Sequence, residues 1–290
     1  MPRYAIVVHG GCGRWKQADT RAALRGVRAA VAAGRRCLAA GGSALDAVCA
    51  AVVVLEDDPL FNAGTGSVLN RDGAAEMDAA VMLGEGLRCG GVAAIRRVKN
   101  PVLVARAVME QTRHVLLAGA GALAFARRAG FADYDPVTAQ SRVRLRRAKL
   151  AAASRGTVGA VALDASGRLA AATSTGGTLL KLPGRVGDSP IPGAGNYATP
   201  LAAASATGLG ELVMRFLTTR ALCDRVAGGR SAARAASEAL AALPLERGDS
   251  VGVIALDRRG RPGVALRGGA MPHAWSVAGR SRIVARLRTA

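Results

Sequence analysis

Three threonines in glycine-rich segments are candidates for chemistry. They are Thr157 in GTVG, Thr175 in STGG and Thr207 in ATGLG. A single threonine at the start of a strand is usually a packing residue, because its β-branched side chain suits a pleated sheet. Three such segments in a chain with only three histidines favour another hypothesis, in which a threonine hydroxyl is the nucleophile and no histidine is its base.

The bond between Gly156 and Thr157 is the most informative of these positions. A threonine hydroxyl needs a base to become a nucleophile. If this bond is cut, Thr157 gains an α-amine that titrates near pH ~8 and can act as the base on the same residue. Gly156 has no Cβ and tolerates the strained backbone that an attack on its carbonyl requires. The sequence therefore favours a chain that is cut before Thr157.

Other catalytic classes lack their residue patterns. The chain has no Gly-x-Ser-x-Gly segment for a serine hydrolase and no His-Glu-x-x-His segment for a zinc enzyme. The five cysteines show no paired spacing, which is typical of a reducing compartment. We see no signal peptide and no apolar run of bilayer length, so we expect a cytoplasmic protein that does not enter a membrane.

The net charge of +20 raises the question of a nucleic-acid partner. The basic residues are scattered along the chain, and the one dense cluster is Arg142, Arg144, Arg146 and Arg147. Aromatic residues, on which bases would stack, make up only 3% of the chain. We therefore expect a small-molecule substrate rather than nucleic acid.

The elements that must position the threonines follow from hydrophobic periodicity and turn residues. A buried first strand ends at His9, and TVGAVALDASGRLAAATST predicts a strand, a turn and a second strand after Gly156. VGVIALDRRGRPGVAL repeats that form near the C-terminus, and residues 131–156 and 176–200 have loop composition. The remaining predicted elements are helices at 19–41, 43–56, 210–227 and 230–242, a helix from Pro101 to about Glu110, a helix ending near Gly130, and strands in AEMDAAVML, CGGVAAIRRV and HVLLAG.

Paired strands joined by short turns, with helices in both halves, indicate antiparallel sheets covered by helices. No segment is long enough to be a linker between independent units. We therefore expect an α+β fold in which residues 1–290 form a single domain.

Several segments, in a fixed order, carry a resemblance to a known family. They include VVHGGCG, GGSALDAVCAAVVVLEDDPLFNAGTGSVLNRDGAAEMDAAVM, GTVGAVALDASGRLAAATSTGG, KLPGRVGDSPIPGAGNYA and ATGLGE. The chain resembles the plant-type asparaginase and isoaspartyl peptidase family of N-terminal-nucleophile hydrolases. The resemblance implies a four-layer αββα sandwich, autocleavage into an α-chain (1–156) and a β-chain (157–290), and a homodimer of cleaved units. It also implies no cofactor for catalysis.

The resemblance assigns roles to individual residues. Thr157 is the nucleophile, Thr175 bonds near its amine and hydroxyl, and Thr207 with the Gly208 N–H forms the oxyanion hole. Arg185 and Asp188 hold the substrate α-carboxylate and α-ammonium, and Asn62 and Gly210 belong to the same site. Taken alone, these residues also allow a loop ion pair between Arg185 and Asp188 and a helix cap at Thr207. A structural sodium ion is implied in a loop with main-chain ligands at Leu55, Glu56, Asp58, Phe61, Ala63 and Thr65.

The resemblance predicts hydrolysis of β-aspartyl amide bonds in isoaspartyl dipeptides and L-asparagine, giving L-aspartate. Two alternatives stay open. One is a glycosylasparaginase of the same family, and the other is an uncleaved, non-catalytic protein that binds anionic partners. Two departures bear on them: a short basic segment runs through Arg155 before the cut, and Leu209 stands where the family commonly has a threonine. We expect these departures to affect the cleavage rate and the substrate preference.

Overall fold

The computed structural model of the chain describes residues 4–148, 156–279 and 282–289. Within these ranges the chain forms eight α-helices and twelve β-strands, so the fold is a mixed one. The helices are α1 (Gln17–Ala39), α2 (Ala44–Glu56), α3 (Pro101–Gln111), α4 (Gly119–Arg128), α5 (Ala139–Ala148), α6 (Gly210–Arg215), α7 (Thr218–Ala227) and α8 (Ala232–Ala241). None of these helices combines the length and hydropathy that crossing a bilayer requires.

The strands form two sheets. They are β1 (Ala5–His9), β2 (Met77–Leu83), β3 (Cys89–Ile95), β4 (Leu116–Ala118), β5 (Val158–Leu163), β6 (Leu169–Thr175), β7 (Asn196–Ala198), β8 (Ala202–Gly208), β9 (Val251–Asp257), β10 (Pro262–Arg267), β11 (His273–Val277) and β12 (Val284–Arg286). The larger sheet has the order β12-β11-β1-β5-β6-β2-β3-β4, and the smaller has the order β10-β9-β8-β7. The pairs are antiparallel except for β3 with β4.

The two sheets contact each other, and helices pack on both. Strands β5 and β6 contact β8, and β1 contacts β9. Helices α1 and α2 pack on the larger sheet around β1 and β5, whereas α7 and α8 pack on the smaller sheet. The core between these elements is built mainly from alanine and valine, whose small side chains let the layers approach closely.

Local chemistry explains how α2 and α3 support the centre of the larger sheet. Ser43 begins α2 with a capping box, since its Oγ accepts the Asp46 N–H and the Asp46 carboxylate accepts the Ser43 N–H. Glu56 ends α2, and its Oε1 accepts both the Val102 N–H at the start of α3 (3.0 Å) and the Ser174 hydroxyl (2.6 Å). One buried carboxylate thus ties two helices to the strand that ends at Thr175.

Most predicted elements are confirmed, with three differences. The predicted helix 210–227 is two helices, because the backbone at Leu217 enters the left-handed region (φ 43°) between them. Residues 131–156, expected to be irregular, contain the ten-residue α5, and residues 149–155 of that segment lie outside the described part of the chain. The third difference is strands that were not predicted, namely β7 inside the expected loop 176–200, and β8, β11 and β12.

Candidate active site

A small cavity brings together residues from four separate segments. Its lining includes most of the candidate site residues of the sequence, together with Gly177 and Thr178. The lining residues are Gly156, Thr157, Thr175, Gly177, Thr178, Arg185, Asp188 and Gly208. They come from the start of β5, the end of β6, the loop that follows β6 and the end of β8. The predicted nucleophile, two of the four predicted substrate-binding residues and one predicted oxyanion-hole donor therefore share one cavity.

Thr157 lies at the entry to β5 and is 5% exposed. Val158 pairs with Ser174 in the antiparallel register of β5 and β6, so one step further along the register sets Thr157 opposite Thr175. The Thr175 hydroxyl accepts the N–H of Gly177 (2.9 Å), which fixes the turn after β6. The predicted neighbours are brought together, and Thr175 in addition shapes its own turn.

Asn62 holds that same turn from the other side. Its Nδ2 donates to the Gly177 carbonyl (2.8 Å), its main-chain carbonyl accepts the Gly176 N–H (2.9 Å), and its Oδ1 accepts the Val68 N–H (2.9 Å). A Cβ added to Gly176 would lie 2.5 Å from Asn62 Oδ1. Asn62 therefore supports the cavity wall, and it does not itself line the cavity.

Arg185 is paired with Glu211 at the start of α6. Glu211 Oε1 accepts from Arg185 Nε (3.0 Å) and Nη2 (2.7 Å). The loop ion pair between Arg185 and Asp188, which the sequence left open, is not the arrangement that these described residues adopt. The guanidinium that was predicted to bind a carboxylate holds one supplied by the chain itself.

Asp188 presents a buried carboxylate oxygen that has no partner. The residue is 4% exposed, and its Oδ2 makes no hydrogen bond to the described residues. Burial raises the pKa of Asp188 to about 7, against the opposing effects of its own backbone N–H and of Arg185. An unpartnered buried carboxylate is costly, and a cationic ligand in this cavity would satisfy it.

Gly210 keeps the space between these two groups open. A Cβ added there would lie 2.7 Å from Asp188 Oδ1 and 2.9 Å from Arg185 Nη2. The predicted association of Gly210 with the substrate-binding pair thus has a steric basis in this structure.

Thr207, at the end of β8, lies beside the predicted scissile bond. It is fully buried, and its Oγ1 accepts the N–H of Cys12 (3.1 Å). A Cβ added to Gly156 would lie 2.5 Å from Thr207 Oγ1 and 2.8 Å from the Cys12 carbonyl oxygen. Thr207 is therefore not acting as a helix cap, and with Gly208 it borders the atoms next to Thr157. The end of the basic segment that precedes the cut, residues 149–155, lies outside the described residues.

The loop from Leu55 to Thr65, predicted to bind sodium, is held together by its own main-chain hydrogen bonds. The Glu56 carbonyl accepts the Thr65 N–H (2.7 Å), and the Asp58 carbonyl accepts the Phe61 N–H (3.1 Å). Phe61 and Ala63 are buried in the same loop. Each carbonyl oxygen has a second lone pair, and main-chain oxygens suit a hard cation, so the donor set is compatible with the ion.

Comparison with known proteins agrees with the geometry. A family profile described as asparaginase matches residues 2–284. The chain belongs to this family. A plant-type L-asparaginase of Pyrococcus abyssi is 46% identical, covering 95% of this chain and 97% of its own length. An isoaspartyl peptidase/L-asparaginase of Bos taurus and an isoaspartyl peptidase of Escherichia coli are each 42% identical, covering 94% and 96% of this chain and 92% and 94% of their own lengths.

In this asparaginase-family chain the site is also supported by residues that sequence reasoning missed. Asp78 on β2 accepts the N–H groups of Ala94 (2.8 Å) and Gly187 (3.0 Å), and it thereby anchors the loop between Arg185 and Asp188. The buried Lys181 ammonium donates to the Glu76 carbonyl (2.7 Å) and lies in the field of Asp78. Their only sequence signal was a position inside the quoted segments, because the contacts of Asp78 with Gly187 and of Lys181 with Glu76 join residues 109 and 105 positions apart.

A second group of residues that sequence reasoning missed lies against β5, the strand that follows Thr157. His9 Nε2 lies 2.9 Å from Ser205 Oγ, which lies 2.8 Å from the Thr173 hydroxyl. All three side chains are fully buried. Burial lowers the pKa of His9 to about 3, so its ring is neutral. The sequence placed His9 at the end of the first strand, and in the structure it links β1, β8 and β6 without lining the cavity.

Proposed function

We propose that this chain is an autoprocessed threonine hydrolase that cleaves β-aspartyl amide bonds in isoaspartyl dipeptides and L-asparagine. The observation that carries the proposal is one cavity holding Thr157, the Arg185 guanidinium and the unpartnered, buried oxygen of Asp188. A guanidinium beside a carboxylate matches the α-carboxylate and α-ammonium of an amino acid. The names of the relatives, L-asparaginase and isoaspartyl peptidase, support the same activity.

The first step is cleavage of the chain. Thr157 Oγ1 attacks the Gly156 carbonyl carbon, the Gly156–Thr157 C–N bond breaks, and the Thr157 nitrogen takes the hydroxyl proton as an ester forms. Water then hydrolyses the ester, releasing the Gly156 carboxylate and a free α-amine on Thr157. The cavity of the intact chain has a volume of about 20 Å³, room for about one water molecule, which fits a precursor that must open before it takes substrate.

The second step is hydrolysis of substrate. The Thr157 α-amine takes the hydroxyl proton while Oγ1 attacks the β-carbonyl carbon, and the oxyanion is stabilised by the Thr207 hydroxyl and the Gly208 N–H. Collapse breaks the C–N bond, and the amine returns the proton to the leaving ammonia or amino acid. Water then attacks the β-aspartyl ester and releases L-aspartate. Each preorganised oxyanion donor typically contributes about 3–4 kcal/mol to such a step.

Several finer features belong to the same proposal. We propose one domain of residues 1–290, cut into 1–156 and 157–290, with the layers arranged αββα. Helices on the outer face of each of two contacting sheets support that arrangement. We propose a homodimer of cleaved units, which exposed apolar side chains at Leu182, Phe216 and Leu217 favour. A sodium ion held by the carbonyls of residues 55–65 would have a structural role.

The test is the cleavage state and the activity of matched variants. Purified chain is incubated, and its fragments are weighed by intact mass spectrometry. We expect fragments that meet at Gly156 and Thr157, with Thr157→Ala abolishing both cleavage and hydrolysis. Thr20→Ala, on α1 and outside the cavity, should keep both activities. An intact, inactive wild-type chain would support a non-catalytic protein instead, and a faster rate on glycosylated asparagine than on asparagine or β-Asp-Leu would support a glycosylasparaginase.

A further inference from the structure

A second, larger cleft adjoins the catalytic cavity. It has a volume of about 320 Å³ and shares Gly156, Thr178 and Gly208 with that cavity. Neither Arg185 nor Asp188 lines it. The cleft is therefore continuous with the reacting centre but separate from the groups proposed to hold the substrate's α-carboxylate and α-ammonium.

The backbone around Arg14 in this cleft is held in place, whereas its side chain is exposed. Gly13 exchanges two backbone hydrogen bonds with Ala270, each 3.0 Å long, and the Trp15 indole donates to the Gly11 carbonyl (3.1 Å). Arg14 lines the cleft, and no carboxylate of the described residues forms an ion pair with it. The guanidinium thus stands at the cleft as a solvent-exposed positive charge on an anchored stretch of backbone.

We propose that this cleft is the leaving-group subsite and that Arg14 binds the free α-carboxylate of the amino acid released from a β-aspartyl dipeptide. The inference rests on the proposed function, which supplies the scissile amide. With the α-groups of the aspartyl half held at Arg185 and Asp188, the leaving half requires a different space, and this cleft borders the nucleophile's own segment. A guanidinium recognises a carboxylate with paired, charge-assisted hydrogen bonds. Asparagine releases only ammonia and makes no use of Arg14.

The other lining groups define which leaving amino acids fit. Asp249 is the second charged residue of the cleft, and its Oδ2 accepts the Glu246 N–H (2.9 Å), which fixes it there. Its negative charge disfavours an acidic side chain on the leaving residue. Leu209 is 36% exposed and lines the same cleft, where it offers an apolar contact. The preferred substrates are therefore β-aspartyl dipeptides with an apolar or basic second residue and a free C-terminus.

The experiment compares kcat/KM for L-asparagine, β-Asp-Leu and β-Asp-Leu amide. We expect the wild type to prefer β-Asp-Leu over its amide by about tenfold, the equivalent of about 1.4 kcal/mol. Arg14→Gln should remove that preference and leave asparagine hydrolysis unchanged, whereas Arg14→Lys should restore part of it. Arg36→Gln, on the exposed face of α1, removes the same charge elsewhere and should keep the preference. Asp249→Asn should raise the rate on β-Asp-Glu and not lower the rate on β-Asp-Leu.

Three results would overturn the subsite. One is an Arg14→Gln variant that keeps the wild-type ratio between β-Asp-Leu and its amide. Another is an equal loss on asparagine and dipeptide, which would give Arg14 a structural role only. The third is loss of the preference in Arg36→Gln as well, which would trace the effect to overall charge. Failure of the proposed function has a different signature, since the cleaved wild type would then hydrolyse none of the substrates.

Discussion

Arg185 and Glu211 form an ion pair in which a single carboxylate oxygen, Glu211 Oε1, accepts from both Nε and Nη2 of the guanidinium. The Arg185 side chain is 17% exposed, whereas that of Glu211 is 54% exposed. A pair with one partner this open to solvent is screened and contributes little to stability. Under the proposed function, Glu211 therefore holds Arg185 in the free protein until the α-carboxylate of a substrate displaces it.

Replacement of Glu211 by glutamine tests this competition. The amide oxygen of glutamine can still accept from Arg185, but it no longer competes as an anion. We expect Glu211→Gln to lower KM for L-asparagine about threefold with kcat unchanged, since screened pairs of this kind are worth up to about 1 kcal/mol. Steady-state kinetics at fixed ionic strength measure both constants. A higher KM in the glutamine variant would mean that Glu211 orients Arg185 through its charge and does not compete with substrate.

The raised pKa of Asp188 predicts a pH dependence of binding. Because burial raises this pKa to about 7, Asp188 is largely neutral below pH 7 in the free enzyme and ionised above it. An α-ammonium favours the ionised form, so binding of L-aspartate at pH 6 should release a proton and should tighten as pH rises through 7. Calorimetry in buffers with different ionisation enthalpies measures the release. Asp188→Asn should bind more weakly at every pH and show no such release; a wild type without it would contradict the prediction.

Local sequence chemistry predicted the elements that carry the nucleophile. The apolar runs of β5 and β6, joined by a short turn at residues 164–167, and the capping residue Ser43 each act over a few positions, so the sequence alone reveals them. The alanine-rich β8 has no aromatic or β-branched apolar residue to favour a strand, and it becomes a strand by pairing with β9 over its whole length. Secondary structure that depends on a distant partner is not visible in a local pattern.

The same distinction separates the predicted from the unpredicted parts of the site. The cavity contains Thr157, Thr175, Arg185 and Asp188, which the quoted segments indicated, and Thr207 lies next to it beside Gly156. The partner of Arg185 and the anchoring of its loop by Asp78 were not predicted. These contacts join positions 26 and 109 residues apart, and their geometry is fixed only when both sheets are assembled.

Gly210→Ala tests the pair proposed to hold the substrate, Arg185 and Asp188, without affecting folding; we call this pair the substrate clamp. The added Cβ would lie 2.7 Å from Asp188 Oδ1 and 2.9 Å from Arg185 Nη2, so at least one group must move. Gly210 lies in α6 without a left-handed φ, and alanine is favoured over glycine in helices. We expect kcat/KM for asparagine to fall at least tenfold with the melting temperature unchanged within a few degrees.

Gly121→Ala is the matched control for that variant. Gly121 lies in α4, where an added Cβ meets nothing within 4 Å. It should keep full activity and gain up to about 1 kcal/mol of stability. Equal activities for the two alanine variants would show that the clamp tolerates a displacement of this size.

His9 predicts how stability responds to acid. Burial lowers its pKa to about 3, whereas the unfolded chain binds a proton at this residue below about pH 6.5. The unfolded state thus binds more protons between these values, and His9 makes the free energy of unfolding fall as pH decreases from 6.5, by up to about 1.4 kcal/mol per pH unit. Urea titrations at pH 7 and 5 should show a smaller loss in His9→Gln than in the wild type. The exposed His114→Gln should lose as much as the wild type, and an equal loss in all three proteins would contradict the assignment.

Gly156→Ala tests whether close packing at the scissile bond controls the cut. The new Cβ would approach Thr207 Oγ1 to 2.5 Å and the Cys12 carbonyl oxygen to 2.8 Å. These neighbours cannot easily withdraw, because the Cys12 N–H donates to Thr207 Oγ1 and the Cys12 thiol to the Thr207 carbonyl. A displacement approaching 1 Å at a reacting carbonyl can cost about a hundredfold in rate, and we expect cleavage to slow by about that factor.

Gly228→Ala, whose added Cβ has its nearest neighbours at 3.5 Å, should cleave normally. Time courses on denaturing gels give both rates, and circular dichroism melts establish that each precursor is folded. A folded Gly156→Ala chain that cleaves as fast as the wild type would show that the Gly156 carbonyl reaches the Thr157 hydroxyl without the contacts to Cys12 and Thr207.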